Sequence, residues 1–107
     1  MDKRLDSILK KFKKEILQQF GNEIMDIILF GSQARGDAHK DSDIDVLVIT
    51  KSNDWHLGDQ IGEVAYNILL ETGTYISTKV ISEQQYIYLN QIHAPFIDNV
   101  GKEGFSL

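Results

Sequence analysis

The chain has 107 residues, of which 42% are hydrophobic and 25% charged, with one Pro and no Cys. This length suits one domain, and the hydrophobic fraction excludes a disordered chain. The lack of Cys excludes disulfides and thiol chemistry, and no apolar run approaches the ~20 residues of a membrane span. Charges interrupt the N-terminus where a signal peptide needs apolar residues, so we expect a cytoplasmic protein without membrane contact.

The net charge of −5 is unevenly distributed along the chain. Residues 1–14 carry six cations and two anions, whereas residues 15–107 carry five cations and fourteen anions. Because the main body is acidic, it is poorly suited to bind a polyphosphate backbone, and direct binding of nucleic acid is not expected. The basic segment is interpreted as the solvated face of a helix, with a docking patch as the alternative.

The spacing of apolar residues in the first half of the chain predicts one helix and two strands. The helix covers residues 5–20 and ends at Gly21-Asn22, which tolerate positive φ. The β-branched runs 24–30 and 43–50 predict buried strands. The segment between them is too polar and glycine-rich for a strand.

In the second half of the chain, predicted helices and strands continue to alternate. Residues 51–57 are predicted as a loop whose Trp55 either stacks on a base or covers the sheet edge. A helix over 58–70 closes at Thr72-Gly73, and 75–81 forms a third strand. Ser82 to Gln85 resembles a capping box that begins a helix through about residue 90, and Pro95 begins a last helical segment. This order predicts an α/β fold with helices packed on one sheet.

Gly31 and Ser32 directly follow the first predicted strand, and Arg35 lies in the helical turn that they begin. Backbone N–H groups at such a helix start, together with the helix dipole, favour a bound phosphate. Gly31 permits close backbone approach, and the Ser32 hydroxyl adds a donor. The segment is not a Walker P-loop, since Asp37 stands where that motif has Lys.

Asp43 and Asp45 stand at the start of the second predicted strand. Side chains alternate along a strand, so both carboxylates share one face, roughly 6–7 Å apart. Two neighbouring carboxylates repel one another unless a cation lies between them, and oxygen ligands of this kind suit Mg²⁺. An EF-hand is excluded, because its sixth loop position would be Val46 rather than Gly and a strand follows the loop.

These residues also carry a family resemblance. The segment Gly-Ser-Gln-Ala-Arg-Gly from Gly31 to Gly36, followed by Ser-Asp-Ile-Asp from Ser42 to Asp45, resembles nucleotidyltransferases of the DNA polymerase beta type. Within that superfamily the chain looks like the minimal nucleotidyltransferases, palm-only proteins often encoded beside a HEPN-domain partner in prokaryotes. The resemblance implies a single palm domain over residues 1–107 with a mixed sheet of three to four strands flanked by helices.

The resemblance also implies site roles. Gly31 and Ser32 would hold the phosphates of a nucleoside triphosphate, which we expect to be ATP, and Asp43 and Asp45 would hold Mg²⁺ or Mn²⁺ as catalytic residues. Arg35 would assist the phosphates or pair with a local acid such as Asp37. The implied activity is transfer of AMP to a hydroxyl on a partner protein, as the antitoxin of a HEPN pair, in a homo- or hetero-oligomer.

The chain departs from the family pattern at the third catalytic carboxylate. Active relatives carry it on the next strand, but residues 75–81 contain no acid. Alternation places Ser77 and Lys79 on one face and Thr78 on the other, so Ser77 or Thr78 occupies the third-carboxylate position. The alternative function is therefore a non-catalytic antitoxin that binds only nucleotide or partner.

Overall fold

The computed structural model describes residues 3–36 and 43–107. In the described residues, two helices of 18 residues, two of nine and one of four lie around the strands. In chain order the elements are α1 (Lys3–Phe20), a 3₁₀ turn (Gly21–Glu23), β1 (Ile24–Phe30), α2 (Ser32–Arg35), β2 (Ile44–Thr50), α3 (Trp55–Thr72), β3 (Ile76–Ser82), α4 (Glu83–Gln91), α5 (Pro95–Glu103) and β4 (Phe105–Ser106).

The four strands form one mixed sheet in the order β3-β2-β1-β4. Strand β1 runs antiparallel to β2 and to β4, whereas β2 and β3 are parallel and are joined by the crossover helix α3. This arrangement confirms the predicted α/β fold with a mixed sheet flanked by helices. Because of these directions, β1 ends at the edge of the sheet where β2 and β3 begin.

The two faces of the sheet pack against different helices. The first face lies under α1 and α3 and forms the larger hydrophobic cluster. The second face lies under α4 and α5 and forms a smaller one. Alternation along β2 divides its side chains between the two faces: Ile44, Val46 and Val48 belong to the larger cluster, and Leu47 and Ile49 to the smaller.

Two predicted helix boundaries are confirmed with their hydrogen bonds. The Gln85 backbone N–H donates to Ser82 Oγ at 3.1 Å, and the Ser82 N–H donates to Gln85 Oε1 at 2.9 Å, so the capping box begins α4. Gly73 ends α3 in the left-handed conformation with φ +76°, and its N–H donates to the Leu69 carbonyl at 2.8 Å.

Two local predictions were wrong, and one short element was not predicted. Gly21 and Asn22 have no positive φ, because they continue the right-handed winding of α1 as a 3₁₀ turn. Residues 55–57 are helical rather than loop, because the Asp54 side chain accepts the His56 backbone N–H at 3.0 Å and begins α3 earlier. The last segment also adds the strand β4, which pairs with β1 and was not predicted as an element.

Within residues 3–36 and 43–107, no helix combines the length and the apolar character that crossing a membrane requires.

Candidate functional site

The predicted site residues meet at the edge of the sheet where β1 ends and β2 and β3 begin. In the pairing register, Asp45 lies between Phe30 of β1 and Ser77 of β3. Asp43 immediately precedes β2 and is exposed. We call this edge, with Gly31, Ser32, Asp43, Asp45 and Ser77, the candidate site. The structure thus brings together the two motifs that the sequence analysis singled out.

Gly31 makes the closest backbone approach in the candidate site. Its φ of +77° and ψ of −157° form a conformation that residues with a side chain rarely adopt. A Cβ added at Gly31 would lie 3.1 Å from Cγ of Asp45 and still closer to its Oδ2. The backbone at Gly31 therefore lies directly against the Asp45 carboxylate, and only glycine fits between them.

Ser32 begins the single helical turn of α2. The first hydrogen bond of this turn runs from the Arg35 N–H to the Gly31 carbonyl at 3.0 Å. Backbone N–H groups at the start of a helix have no acceptor within the helix, so they are suited to an anionic ligand. The partly buried Ser32 hydroxyl lies at the same turn, next to the Gly31 backbone.

The Asp45 carboxylate is partly buried on the second face of the sheet, above Leu47. Burial raises the pKa of this carboxyl above its usual 3.8, and the nearby charge of Asp43 raises it further. The positive charges of Lys79 and Arg35 act in the opposite direction on the same pKa. A cation between the two carboxylates would offset their mutual repulsion.

Asp43 and Asp45 fit a hard divalent cation by the chemistry of their donor atoms. Mg²⁺ commonly takes one or two carboxylates and completes its shell with water and substrate phosphate oxygens. Among the residues that the structure describes, no three His, Cys, Asp or Glu side chains converge as a metal-binding group. Water and substrate oxygens could complete the shell of a cation that Asp43 and Asp45 hold.

The register assigns positions on β3 relative to the carboxylates. Ser77 pairs with Asp45 and shares its face, whereas Thr78 pairs with Val46 and faces α1 and α3. Ser77 is therefore the β3 residue beside the carboxylate pair. Lys79 follows on the same face, and its ammonium lies 5.1 Å from the centroid of the Phe96 ring.

Arg35 makes a contact that the sequence did not indicate. Its Nη1 donates to Oε2 of Glu103 at 2.9 Å, which joins α2 to the last turn of α5. Sixty-eight residues separate the pair, so no local pattern could reveal it. The other predicted partner, Asp37, lies outside the described residues, as does Ser42.

Trp55 lies at the opposite end of β2 from Asp45. Its side chain is 69% exposed and stacks on His56, with ring centroids 3.7 Å apart. The predicted base stacking by Trp55 is therefore wrong for the candidate site, because the length of β2 separates the two.

The chain is similar in sequence to known nucleotidyltransferases. The family model described as "Nucleotidyltransferase domain" matches residues 9–96. A Methanocaldococcus jannaschii protein named "Putative protein adenylyltransferase MJ0604" is 32% identical over 92% of this chain and 93% of the relative. A second protein of that organism, "Putative protein adenylyltransferase MJ1305", is 49% identical over 48% of this chain, and the match spans 35% of that relative. "Protein adenylyltransferase MntA" of Thermococcus cleftensis is 48% identical over 41% of this chain and 42% of its own length.

Solved structures share the fold. A structure described as "a putative nucleotidyltransferase from Sulfolobus solfataricus" aligns with a TM-score of 0.56 at 20% identity, over 96% of this chain and 78% of that one. A structure described as "the toxin-antitoxin with AMP-PNP" aligns with a TM-score of 0.56 at 18% identity, over 89% of this chain and 68% of that one. The nucleotidyltransferase resemblance predicted from the sequence is confirmed.

Proposed function

The chain belongs to the nucleotidyltransferase-domain family, and from this premise we propose that it transfers AMP from ATP to a hydroxyl of a partner protein. The single observation that carries the proposal is the contact of the Gly31 backbone with the Asp45 carboxylate. This contact supports the proposal because it brings the turn that would bind phosphate next to the carboxylates that would bind metal. A cytoplasmic location and a single domain over residues 1–107 are part of the same proposal.

In this proposal each site residue has a separate task. Asp43 and Asp45 would hold Mg²⁺ or Mn²⁺, which when bound offsets charge on the triphosphate and polarises the α-phosphate. The turn at Gly31 and Ser32 would bind the β- and γ-phosphates. The acceptor oxygen forms a bond to the α-phosphorus, the bond to the β-phosphate oxygen breaks, and pyrophosphate leaves with that electron pair. No carboxylate of β3 takes the acceptor proton, so solvent would receive it.

Arg35 would position the phosphate-binding turn in this scheme. Its ion pair with Glu103 attaches α2 to α5, and its charge also reaches Asp45. The same guanidinium lies in the turn that would bind phosphate, so it would contribute positive charge to nucleotide binding. Arg35 is therefore included among the nucleotide-binding residues.

The acceptor in this proposal is a HEPN-domain toxin, with which the chain would form a hetero-oligomer as the antitoxin. Two comparisons support this partner class: a relative is named a protein adenylyltransferase, and a solved neighbour is a toxin–antitoxin assembly. A hydroxyl side chain of the toxin would receive AMP, and its modification would restrain the toxin.

A second function is favoured by one specific observation. Ser77 is the residue paired with Asp45 on β3, and Ser cannot act as the third carboxylate. In this alternative the chain binds nucleotide or partner without transferring AMP. General-base assistance is worth about 10²–10⁴-fold in rate, so its loss slows transfer without abolishing it.

One experiment tests both functions. The protein is incubated with Mg²⁺, ATP and its co-purified HEPN partner, and AMP transfer is measured by intact mass. We expect slow transfer by the parent and none by the Asp43→Asn/Asp45→Asn double variant, whose ATP affinity also falls. Unchanged ATP affinity in the double variant would overturn the site assignment.

The third-carboxylate position is tested in the same assay by a matched pair of variants. Ser77→Asp should raise the transfer rate, because the new carboxylate shares the face of Asp45. Thr78→Asp should not raise it, since that side chain points towards α1 and α3. Absence of transfer by the parent and by both variants, with nucleotide still bound, would establish the non-catalytic alternative.

A further inference from the structure

Lys79 lies on the same face of the sheet as the carboxylate pair. Parallel pairing sets Ser77 beside Asp45 and Lys79 beside Leu47, and alternation directs all four side chains to the second face. Lys79 is exposed, whereas Leu47 beneath the same face is fully buried. The Lys79 side chain therefore extends from the second face of the sheet, beside the buried Leu47 and two residues along the strand from the position that pairs with Asp45.

An aromatic pair supports the Lys79 side chain from above the sheet. The ammonium lies 5.1 Å from the centroid of the Phe96 ring, which belongs to α5. Phe96 in turn packs edge-to-face on Phe30, with ring centroids 5.4 Å apart. Phe30 is paired with Asp45 and directly precedes Gly31. Phe96 thus links Lys79 to the residue that leads into the phosphate-binding turn.

The Lys79 ammonium has no carboxylate partner among residues 3–36 and 43–107. No ion pair involves it in this part of the chain, and its ammonium instead lies over the face of the Phe96 ring. Lys11, by comparison, pairs with Glu71, and Lys10 pairs with Asp6 at 3.1 Å. Lys79 lies over an aromatic ring and is near enough to Asp45 to lower the pKa of that carboxyl, but it forms no salt bridge among the described residues. Its N–H donors are therefore suited to bind an anionic ligand beside the carboxylates.

We propose that Lys79 binds the β- and γ-phosphates of the nucleotide and makes the candidate site selective for triphosphates over monophosphates. This inference rests on the proposed function and adds a residue to it. On β3 this chain has the hydroxyl of Ser77 and, two residues later on the same face, the cation of Lys79. The fixed positive charge would offset the repulsion between the phosphates and the two carboxylates.

The same ammonium would assist the bond-breaking step. As the bond between the α-phosphorus and the β-phosphate oxygen breaks, negative charge accumulates on the departing pyrophosphate. A positive group already held beside that charge stabilises it without reorganisation. Lys79 would therefore favour departure of pyrophosphate.

The test compares ATP and AMP affinities by calorimetry for the parent, Lys79→Met, Lys79→Arg and Lys14→Met. Lys79→Met keeps the apolar stem over Phe96 and removes only the charge. We expect it to weaken ATP binding about 10-fold, the effect of a lost charge-assisted hydrogen bond. AMP affinity should change by less than about 2-fold, because AMP lacks the outer phosphates.

Two variants serve as references. Lys79→Arg should restore ATP affinity to within a few-fold of the parent, because it keeps the positive charge. Lys14→Met removes an equally exposed lysine from α1, on the other side of the molecule, and should leave both affinities unchanged. The titrations of parent and Lys79→Met are repeated with a chelator that removes divalent ions. A difference in ATP affinity that persists indicates a direct contact of Lys79 with phosphate, and a difference that disappears indicates an effect exerted through the metal.

Each outcome decides between the two proposals. Unchanged ATP affinity in Lys79→Met, or an equal loss of ATP and AMP affinity, overturns the role of Lys79 and leaves the proposed function standing. A parent chain that binds no ATP overturns both. A merely structural Lys79 would lower the unfolding temperature of Lys79→Met without changing the ratio of ATP to AMP affinity. Lys79→Gln repeats the measurement with a side chain that is polar and uncharged.

Discussion

The two faces of β2 differ in what lies on them. On the first face, Ile44 and Val46 are fully buried beneath α1 and α3. On the second face, Asp45 is only partly covered, and full burial begins at Leu47. The hydrophobic packing of the second face therefore stops one pleat before the edge of the sheet. The carboxylate occupies the uncovered pleat, while its immediate neighbours are fixed in the core.

This difference shows how a small sheet can hold two repelling carboxylates in place. Because Ile44 stands between Asp43 and Asp45, its burial fixes the backbone that carries both. At the end of β2 that carries Asp45, the stabilising contacts come from the first face and the carboxylate lies on the second. At this end of the strand, substitutions on the first face should therefore affect mainly stability, and substitutions on the second face mainly binding.

The largest expected effect on stability comes from shortening the Ile44 side chain, whose burial fixes the backbone between Asp43 and Asp45. Ile44→Ala removes a fully buried side chain from the larger cluster, and such truncations cost about 2–5 kcal/mol. Urea denaturation of parent and variant measures the loss. The conservative control Ile44→Val should cost about 1 kcal/mol. A loss below that for Ile44→Ala would show that the first face does not anchor the carboxylate pair.

Gly31→Val has an intermediate effect on stability and a large one on binding. Its φ of +77° disfavours any side chain, and strain of this kind costs about 1–3 kcal/mol. The valine side chain would also displace the Asp45 carboxylate, so ATP binding measured by calorimetry should be lost while the fold persists.

Gly62→Ala is the control for that variant. Gly62 lies within α3, where an added Cβ meets nothing within 4 Å, so the alanine should leave ATP binding intact and stabilise the helix by roughly 0.5–1 kcal/mol. Retention of ATP affinity by Gly31→Val would contradict the assignment of the phosphate-binding turn.

Much of the difference between the two faces of β2 could be predicted from the sequence, because the alternation of apolar and acidic side chains along a strand is a local property. The pattern of Ile44, Asp45, Val46 and Leu47 predicted a strand with both carboxylates on one face, and the capping box at Ser82 predicted the start of α4. These features depend on residues no more than four positions apart. The assignment of Asp43, Asp45, Gly31, Ser32 and Arg35 as site residues stays a prediction.

Other features depend on distant contacts and had no local signal. The ion pair of Arg35 with Glu103 and the pairing of β4 with β1 join parts of the chain that are far apart in sequence. A two-residue strand is also too short to show alternation. The support of Lys79 by Phe96 required the positions of α5 and β3. The early start of α3 did have a signal, since Asp54 is a common N-cap residue.

The smallest expected effect is the contribution of Asp45, on the second face of β2, to the pH dependence of stability. Burial and the charge of Asp43 raise the pKa of Asp45 in the folded chain above its usual 3.8. The folded state therefore holds this proton more tightly than the unfolded state, and the stability present below pH 3.8 is lost as pH rises through the folded pKa.

Asp45→Asn removes this dependence, so without divalent ions it should be more stable than the parent at pH 7. Because the carboxylate is partly solvated, we expect a gain below about 1 kcal/mol that shrinks towards pH 4. Urea denaturation between pH 4 and 7 measures it, with Asp59→Asn, an exposed carboxylate of α3, as the control. A parent that is more stable than Asp45→Asn at pH 7 would mean that attraction to Lys79 and Arg35 outweighs burial and repulsion, and that the second face is electrostatically satisfied before any ligand binds.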